Sequence, residues 1–290
     1  MPKPLVIVSG CSYNPVFYSI PEYHSDIEFI NLGQAGRSNH WISHSVQWYL
    51  EQRRPSSCLV LVSWTSIDRR DILIDGNLNS THSSINYEQY SDPKYFTGRF
   101  RFRLPQWYDQ QEDIQPIGLL SLTNLVSDPD SNWVLERIAG NYHKYIQNER
   151  QSWQSSLISW VLLEQYCRSR KYTYISTVWQ DVFHSTSKEY FQRGQSVSNV
   201  IADYRQLECR NQKFPELSYL FNQLNLANWR FCASRHSHYA GIADWAIDRG
   251  LFGNPEYGDN EHPSPQGYQR YYKEILSNDV NKFIQHSSCI

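Results

Sequence analysis

The chain has 290 residues, of which 40% are hydrophobic and 15% aromatic, enough to bury a substantial core. Its formal net charge of −2 gives no electrostatic reason to expect a nucleic acid or an anionic membrane as a partner. No apolar run approaches the roughly 20 residues needed to cross a bilayer, and the first run is too short for a signal peptide. We therefore expect a soluble, cytoplasmic protein. The six cysteines form no C-x-x-C pair, which argues against a zinc site or a disulfide framework.

The predicted elements alternate between strands and helices along the chain. Strands are expected at Leu5–Val8, Glu28–Leu32, Cys58–Val62 and Tyr172–Trp179, and helices from the Asn39 region to Arg53 and at Ser156–Arg170, Pro215–Leu226 and Pro265–Ile284. The third strand is a continuous apolar run, which is typical of a strand covered by helices on both sheet faces. The pattern predicts a flavodoxin-like three-layer α/β/α fold with a parallel central sheet.

Two long segments interrupt this alternation, at about residues 69–148 and 181–257. A structureless stretch of that length is unusual inside a compact domain, so we predict two insertions with short elements of their own within a single domain over residues 1–290. The first insertion is rich in aromatic residues that suit either its own core or a platform for sugar rings. They are Trp107, Tyr108, Trp133 and Tyr142.

Three residues are candidates for a catalytic triad. Ser12 follows the first predicted strand, while Asp259 and His262 share one short predicted loop directly before the last predicted helix. Because ligands bind at the carboxyl ends of the strands in an open parallel sheet, we predict that Ser12 is the nucleophile, His262 the base and Asp259 its orienting acid. The alternatives are a helix cap for Ser12 and a turn for the other two residues. The G-x-S-x-G elbow of the α/β-hydrolases is absent.

The block Gly10-Cys11-Ser12 and the terminal Asp-x-x-His resemble those of the SGNH (GDSL-type) hydrolase family, with Cys11 in place of the family's aspartate. The segment 31–39 fits the second family block and places Gly36 at the position whose backbone N–H lines the oxyanion hole with that of Ser12. The Ala-Gly-Arg-Ser sequence in this segment is most similar to that of the carbohydrate acetylesterase branch of the family. The resemblance implies an esterase that removes a short acyl group, an O-acetyl group above all, from a carbohydrate without metal or organic cofactor.

The third family block departs from the pattern, because Trp64-Thr65-Ser66 stands where the family has Gly-x-Asn-Asp. The Trp-Thr-Ser sequence is similar to that of SGNH-like proteins of tailed bacteriophages. Removing one oxyanion donor costs about 2.7–4 kcal/mol. Ser66, the nearest residue in register, and Asn39 are therefore candidates for a replacement donor, although Asn39 is more readily expected to cap the following helix. Gly36 also fits a turn that needs positive φ.

Several alternatives stay open at this point. The chain could be a catalytically silent SGNH-like protein that binds glycans or belongs to a virion, or an O-acyltransferase that uses the same residues. Cys11 would need a base directed at it to act as a thiol nucleophile, and alternation along the chain directs it away from Ser12. His236 and His238 have a spacing that serves a metal only on a strand, and no third ligand is identifiable. The sequence does not determine the oligomeric state.

Overall fold

The computed structural model describes residues 3–11, 16–17, 19–33, 37–67, 69, 71–74, 118–121, 148–185, 207–234, 237–254 and 259–287. Its strands are β1 (Leu5–Gly10), β2 (Glu28–Asn31), β3 (Cys58–Trp64), β4 (Asp71–Ile74), β5 (Gly118–Ser121), β6 (Thr173–Val178), β7 (Phe252–Asn254) and β8 (Asp259–Pro263). Its α-helices are α1 (Ser19–Tyr23), α2 (Asn39–Arg53), α3 (Glu149–Ser169), α4 (Arg210–Lys213), α5 (Ser218–Phe221), α6 (Ile242–Asp248), α7 (Pro265–Tyr271) and α8 (Ser277–Ser287).

Four of the strands form a parallel sheet in the order β2-β1-β3-β6. Beyond β6, Trp229 makes an isolated parallel bridge to Ser176, and Arg230 donates its backbone N–H to the Ser176 carbonyl at 2.8 Å. This short segment takes the position of a fifth strand. The resulting order, renumbered along the chain as 2-1-3-4-5, is that of flavodoxin-like folds, so the predicted fold class is confirmed.

The sheet separates two hydrophobic cores because successive side chains of a strand point to opposite faces. Ile7 and Val60 pack on the side of α2 and α3, whereas Val8 and Leu59 pack on the side of α6, α7 and α8. Every residue of β1 and β3 is buried, and each fully buried Val, Leu or Ile contributes about 1.5–3 kcal/mol. The parallel pairing of the four strands brings their carboxyl ends to one edge of the sheet.

Inside the two predicted insertions, the structure describes only parts. In the first, β4 and β5 form an antiparallel pair outside the central sheet. The described part of the second insertion contains α4, α5 and α6, together with short 3₁₀ turns at Pro215–Leu217 and Leu226–Asn228. The division of residues 1–290 into one domain with two insertions stays a prediction.

Two predicted helices differ in extent from those in the structure. The helix predicted at Ser156–Arg170 begins at Glu149, because the Asn148 side chain accepts the Gln151 N–H at 2.8 Å and caps it. The helix predicted at Pro215–Leu226 is broken. Glu164 accepts the backbone N–H of Asn225 at 2.9 Å, and this contact takes the chain out of a regular helix.

The last predicted helix is interrupted by a π-helical turn at Tyr272–Leu276 between α7 and α8. Among the described helices, none combines the length and the hydropathy that a membrane crossing requires. The five cysteines in the described part of the chain carry free thiols, and burial raises the pKa of Cys58 to about 12.

Candidate active site

The sequence places the predicted nucleophile directly after β1, whose last residue lies at the carboxyl edge of the sheet. β1 ends at Gly10, and the buried Cys11 follows it. Ser12, the next residue, lies outside the described residues, as does Gly36. The convergence of Ser12 with His262 and the oxyanion role of Gly36 therefore stay predictions.

Asp259 and His262 lie on a strand, not on the short loop that the sequence indicates. β8 pairs antiparallel with β7, with Phe252 opposite Pro263 and Asn254 opposite Asp259. In a regular strand, residues 259 and 262 would point to opposite faces. The pairing contains a register shift, since two steps on β7 match four on β8, and such bulges redirect side chains. The hairpin therefore permits a contact between the Asp259 and His262 side chains. That contact stays a prediction, because the Asp259 side chain is not among those that the structure describes.

The helix after His262 is attached firmly to the hairpin. Ser264 caps α7 by accepting the Gly267 N–H at 3.1 Å, and its own N–H donates to the Leu251 carbonyl at 2.8 Å. A Cβ on Gly267 would lie 2.7 Å from that same carbonyl oxygen, so only glycine permits this approach. His262, on β8 two residues before this cap, is half-buried.

Helix α7 in turn places this hairpin on the same side of the sheet as the end of β1. Tyr268 of α7 belongs to the same hydrophobic core as Cys11. The helix that follows His262 is thus attached to the sheet face on which the Cys11 side chain packs, and the position of His262 relative to Ser12 stays a prediction.

Asn39 has a different local role from the predicted one. Ser38, not Asn39, caps α2, since its hydroxyl accepts the Trp41 N–H at 3.3 Å. The buried Asn39 amide accepts the Thr65 N–H at 2.9 Å and donates to the Thr65 carbonyl at 3.2 Å and to the Ser156 hydroxyl at 3.0 Å. Both amide hydrogens are thus engaged, and an oxyanion would have to displace one of them.

The segment after β3 therefore owes its position to Asn39. Ser66 is half-buried and its carbonyl accepts the Arg69 N–H at 3.4 Å, which closes a turn at the carboxyl edge. The neighbouring Thr65 hydroxyl is buried and has no hydrogen-bond partner among the described residues. The donor role of Ser66 stays a prediction.

A second polar cluster at this sheet edge has no counterpart in the sequence-based site. Asp181 follows the end of β6 and accepts four hydrogen bonds. They come from the backbone N–H groups of Phe183 at 2.8 Å and His184 at 3.1 Å, from His184 Nδ1 at 2.7 Å, and from the Ser237 hydroxyl. Burial alone would raise the pKa of Asp181, but the hydrogen bond and charge of His184 outweigh it and hold that pKa below its usual value. Asp181 is therefore ionised, and Nδ1 of His184 must be the donor.

Asp244 extends the cluster into α6. Its carboxyl oxygen Oδ2 accepts the backbone N–H groups of Asp181 at 2.9 Å and Gly241 at 3.0 Å, and burial raises the pKa of Asp244 to about 8. The sequence signal for this cluster is only that Asp181 follows a strand, as Ser12 does. Its partner Ser237 lies between His236 and His238, but Ser237 is buried on Asp181 and His238 is exposed. No group of three potential metal ligands occurs in the described part of the chain.

No protein-family model matches the chain, and a search of curated proteins finds no match. A search of solved structures finds the crystal structure, at 2.00 Å resolution, of a Bacteroides fragilis protein that is provisionally described as an acylhydrolase. The match covers 98% of this chain and 91% of that one at 11% identity, with a TM-score of 0.39. Such a likeness is too remote to assign an activity. The class is defined by the strand order, which makes this a flavodoxin-like α/β protein.

Proposed function

We propose that the protein is an SGNH-type serine esterase that removes a short acyl group, most simply an O-acetyl group, from a carbohydrate. The observation that carries the proposal is topological. Cys11-Ser12 follows β1 of a flavodoxin-ordered sheet, and the Asp259–His262 hairpin precedes a helix packed on the same sheet face as Cys11. Cys11 and the helix after the hairpin pack on one face of the sheet, which supports the proposal that the two sequence blocks meet at the edge where ligands of such sheets bind.

In the proposed mechanism, Ser12 Oγ attacks the acyl carbon while His262 takes the hydroxyl proton. Asp259 holds the imidazole in the tautomer that can accept it. His262 then returns the proton to the leaving sugar hydroxyl, and water attacks the acyl-enzyme by the same steps in reverse. The backbone N–H groups of Ser12 and Gly36 stabilise the oxyanion, with the Ser66 hydroxyl as third donor.

The alcohol portion of the substrate is proposed to be large and the acyl portion small. Trp179 follows β6 at the carboxyl edge, is half-buried, and donates its backbone N–H to the Trp64 carbonyl at 3.1 Å. Such a ring supplies a flat apolar wall for a sugar. We expect Trp107 and Trp133, which lie outside the described residues, to extend that wall. Turnover of an aryl acetate should exceed that of the matching octanoate, and a preference for octanoate would favour a lipid esterase.

A second candidate is a catalytically silent glycan-binding module. It is favoured by one observation, namely that both amide hydrogens of Asn39 are used within the scaffold while the family's third-block asparagine is missing. An O-acyltransferase would use the same triad and differ only in whether a sugar hydroxyl or water accepts the acyl group.

A fluorophosphonate probe separates the first two candidates. We expect the wild-type chain to be labelled and to hydrolyse an aryl acetate, and Ser12→Ala to abolish both. The matched control is Cys11→Ala at the neighbouring buried position, which should leave both largely intact. Loss of labelling in the Cys11 variant alone would make the thiol the nucleophile. A folded wild-type chain with neither labelling nor turnover would support the silent module.

A further inference from the structure

Two histidines form a pair on the outer face of α2. His40 and His44 are exposed, whereas the residues between and beside them in the first turns of the helix are buried. Their rings are nearly parallel, with an interplanar angle of 17° and centroids 6.2 Å apart. Positions four apart on a helix lie one above the other, so the backbone of α2 presents both imidazoles to the same volume of solvent.

We propose that His40 and His44 together bind one divalent transition-metal cation, of the class Cu²⁺, Ni²⁺ or Zn²⁺. Two helical histidines at this spacing can share one metal ion. A cation about 2.0–2.1 Å from one nitrogen of each ring would place the ring centroids roughly 4.5–5 Å apart. Starting from 6.2 Å, the rings must approach by roughly 1–2 Å. Rotation of two exposed side chains supplies this movement without any change in the helix backbone.

The protonation of the pair suits a metal, because only a neutral imidazole can coordinate. Partial burial, and then the neighbouring charge of His40, lower the pKa of His44. Imidazole favours Cu²⁺, Ni²⁺ and Zn²⁺ over Mg²⁺ and Ca²⁺, which prefer oxygen ligands.

The affinity should be lower than that of a three- or four-ligand site. In the described part of the chain no third protein ligand joins the pair, so water completes the coordination shell. The pair also lies at the N-terminal end of α2, whose positive helix dipole opposes a cation. A bound ion would still cross-link the first two turns of α2, which carry Ser38 and Asn39. Cation binding should therefore stabilise the fold, and it would do so next to the Asn39 contact that holds Thr65.

The test is titration of the metal-free full-length chain with Ni²⁺, followed by calorimetry and by the shift of thermal unfolding. We expect saturable binding of one tightly held ion and a rise in Tm. His40→Gln and His44→Gln should each weaken that binding at least tenfold. The matched control is His286→Gln, which changes an exposed histidine at the end of α8 and should leave the titration unchanged. Mg²⁺ should give no shift.

Electron paramagnetic resonance with one equivalent of Cu²⁺ reports the number of coordinated imidazole nitrogens, and its wild-type spectrum does not depend on any variant folding. The wild-type spectrum should show two coordinated imidazole nitrogens, and each single variant one. Wild-type affinity retained in both single variants, or a wild-type spectrum with a single imidazole nitrogen, would overturn the proposal. Neither result depends on whether the chain hydrolyses esters.

Discussion

Replacing Asp181 should destabilise the protein more than any substitution of a surface carboxylate. Its side chain is fully buried beside His184, and all four of its hydrogen bonds are accepted from groups that are buried or half-buried. Asp181→Ala removes the acceptor for two backbone N–H groups, an imidazole N–H and the Ser237 hydroxyl at once. The partners cannot all turn to water, because Ser237 itself is buried.

The magnitude follows from what each substitution leaves without a partner. Each buried donor left without a partner costs about 1–3 kcal/mol, and Asp181→Ala removes the acceptor of four such donors. We therefore expect this variant to lose about 3–5 kcal/mol of unfolding free energy. Asp181→Asn keeps one carbonyl oxygen for the two backbone N–H groups of Phe183 and His184. Its new amide hydrogens can be accepted by Ser237 and by the other tautomer of His184, so the expected loss is only about 1–2 kcal/mol.

Urea unfolding at pH 7, followed by circular dichroism, measures these losses. The control is Asp26→Ala, since Asp26 is exposed and, within the part of the chain that the structure describes, accepts one side-chain hydrogen bond, from Ser25 at 3.3 Å. This control should change the unfolding free energy by less than about 0.5 kcal/mol. Equal losses for Asp181→Ala and Asp181→Asn, or a loss for Asp181→Ala no larger than that of the control, would refute the assigned role of the carboxylate.

Three further predictions concern the surroundings of the candidate site. The native pKa of Asp244, about 8, exceeds its unfolded value of about 3.9, so the native state holds the extra proton and stability should fall as pH rises between them. Asp244→Asn should remove this dependence of the unfolding free energy on pH, which is at most about 1.4 kcal/mol per pH unit. If the unfolding free energies of wild type and variant differ by the same amount at pH 5 and at pH 8, the prediction is contradicted. Asn39→Ala should cost about 2–3 kcal/mol by loss of three buried hydrogen bonds, against about 1 kcal/mol for Ser38→Ala at the helix cap. Equal losses of the two variants in chemical unfolding would contradict this prediction. Ser66→Asn should raise kcat on an aryl acetate if Ser66 occupies the third-donor position, whereas an unchanged or lower kcat would mean that another group fills it.

The sheet could be predicted from the sequence because its strands are apolar runs, and an apolar run is a local pattern that indicates a buried strand. β1, β3 and β6 lie where those runs are, and their parallel order follows from the helices between them. The prediction was less accurate at Asp259 and His262. Their extended conformation depends on pairing with β7, and the polar segment itself carries no strand pattern.

What the sequence by itself determined is the order of elements and the identity of the residues that follow the strand ends, because periodicity and chain order are local. Only the tertiary structure decided how polar side chains are used. Asn39 forms hydrogen bonds with residues 26 and 117 positions away in the chain, and Asp181 accepts a hydrogen bond from Ser237, 56 positions away. The physical reason is that a hydrogen bond between such distant residues depends on the packing of whole helices and strands, which no local pattern encodes. The same holds for Asp244, whose raised pKa results from burial that exists only in the folded chain.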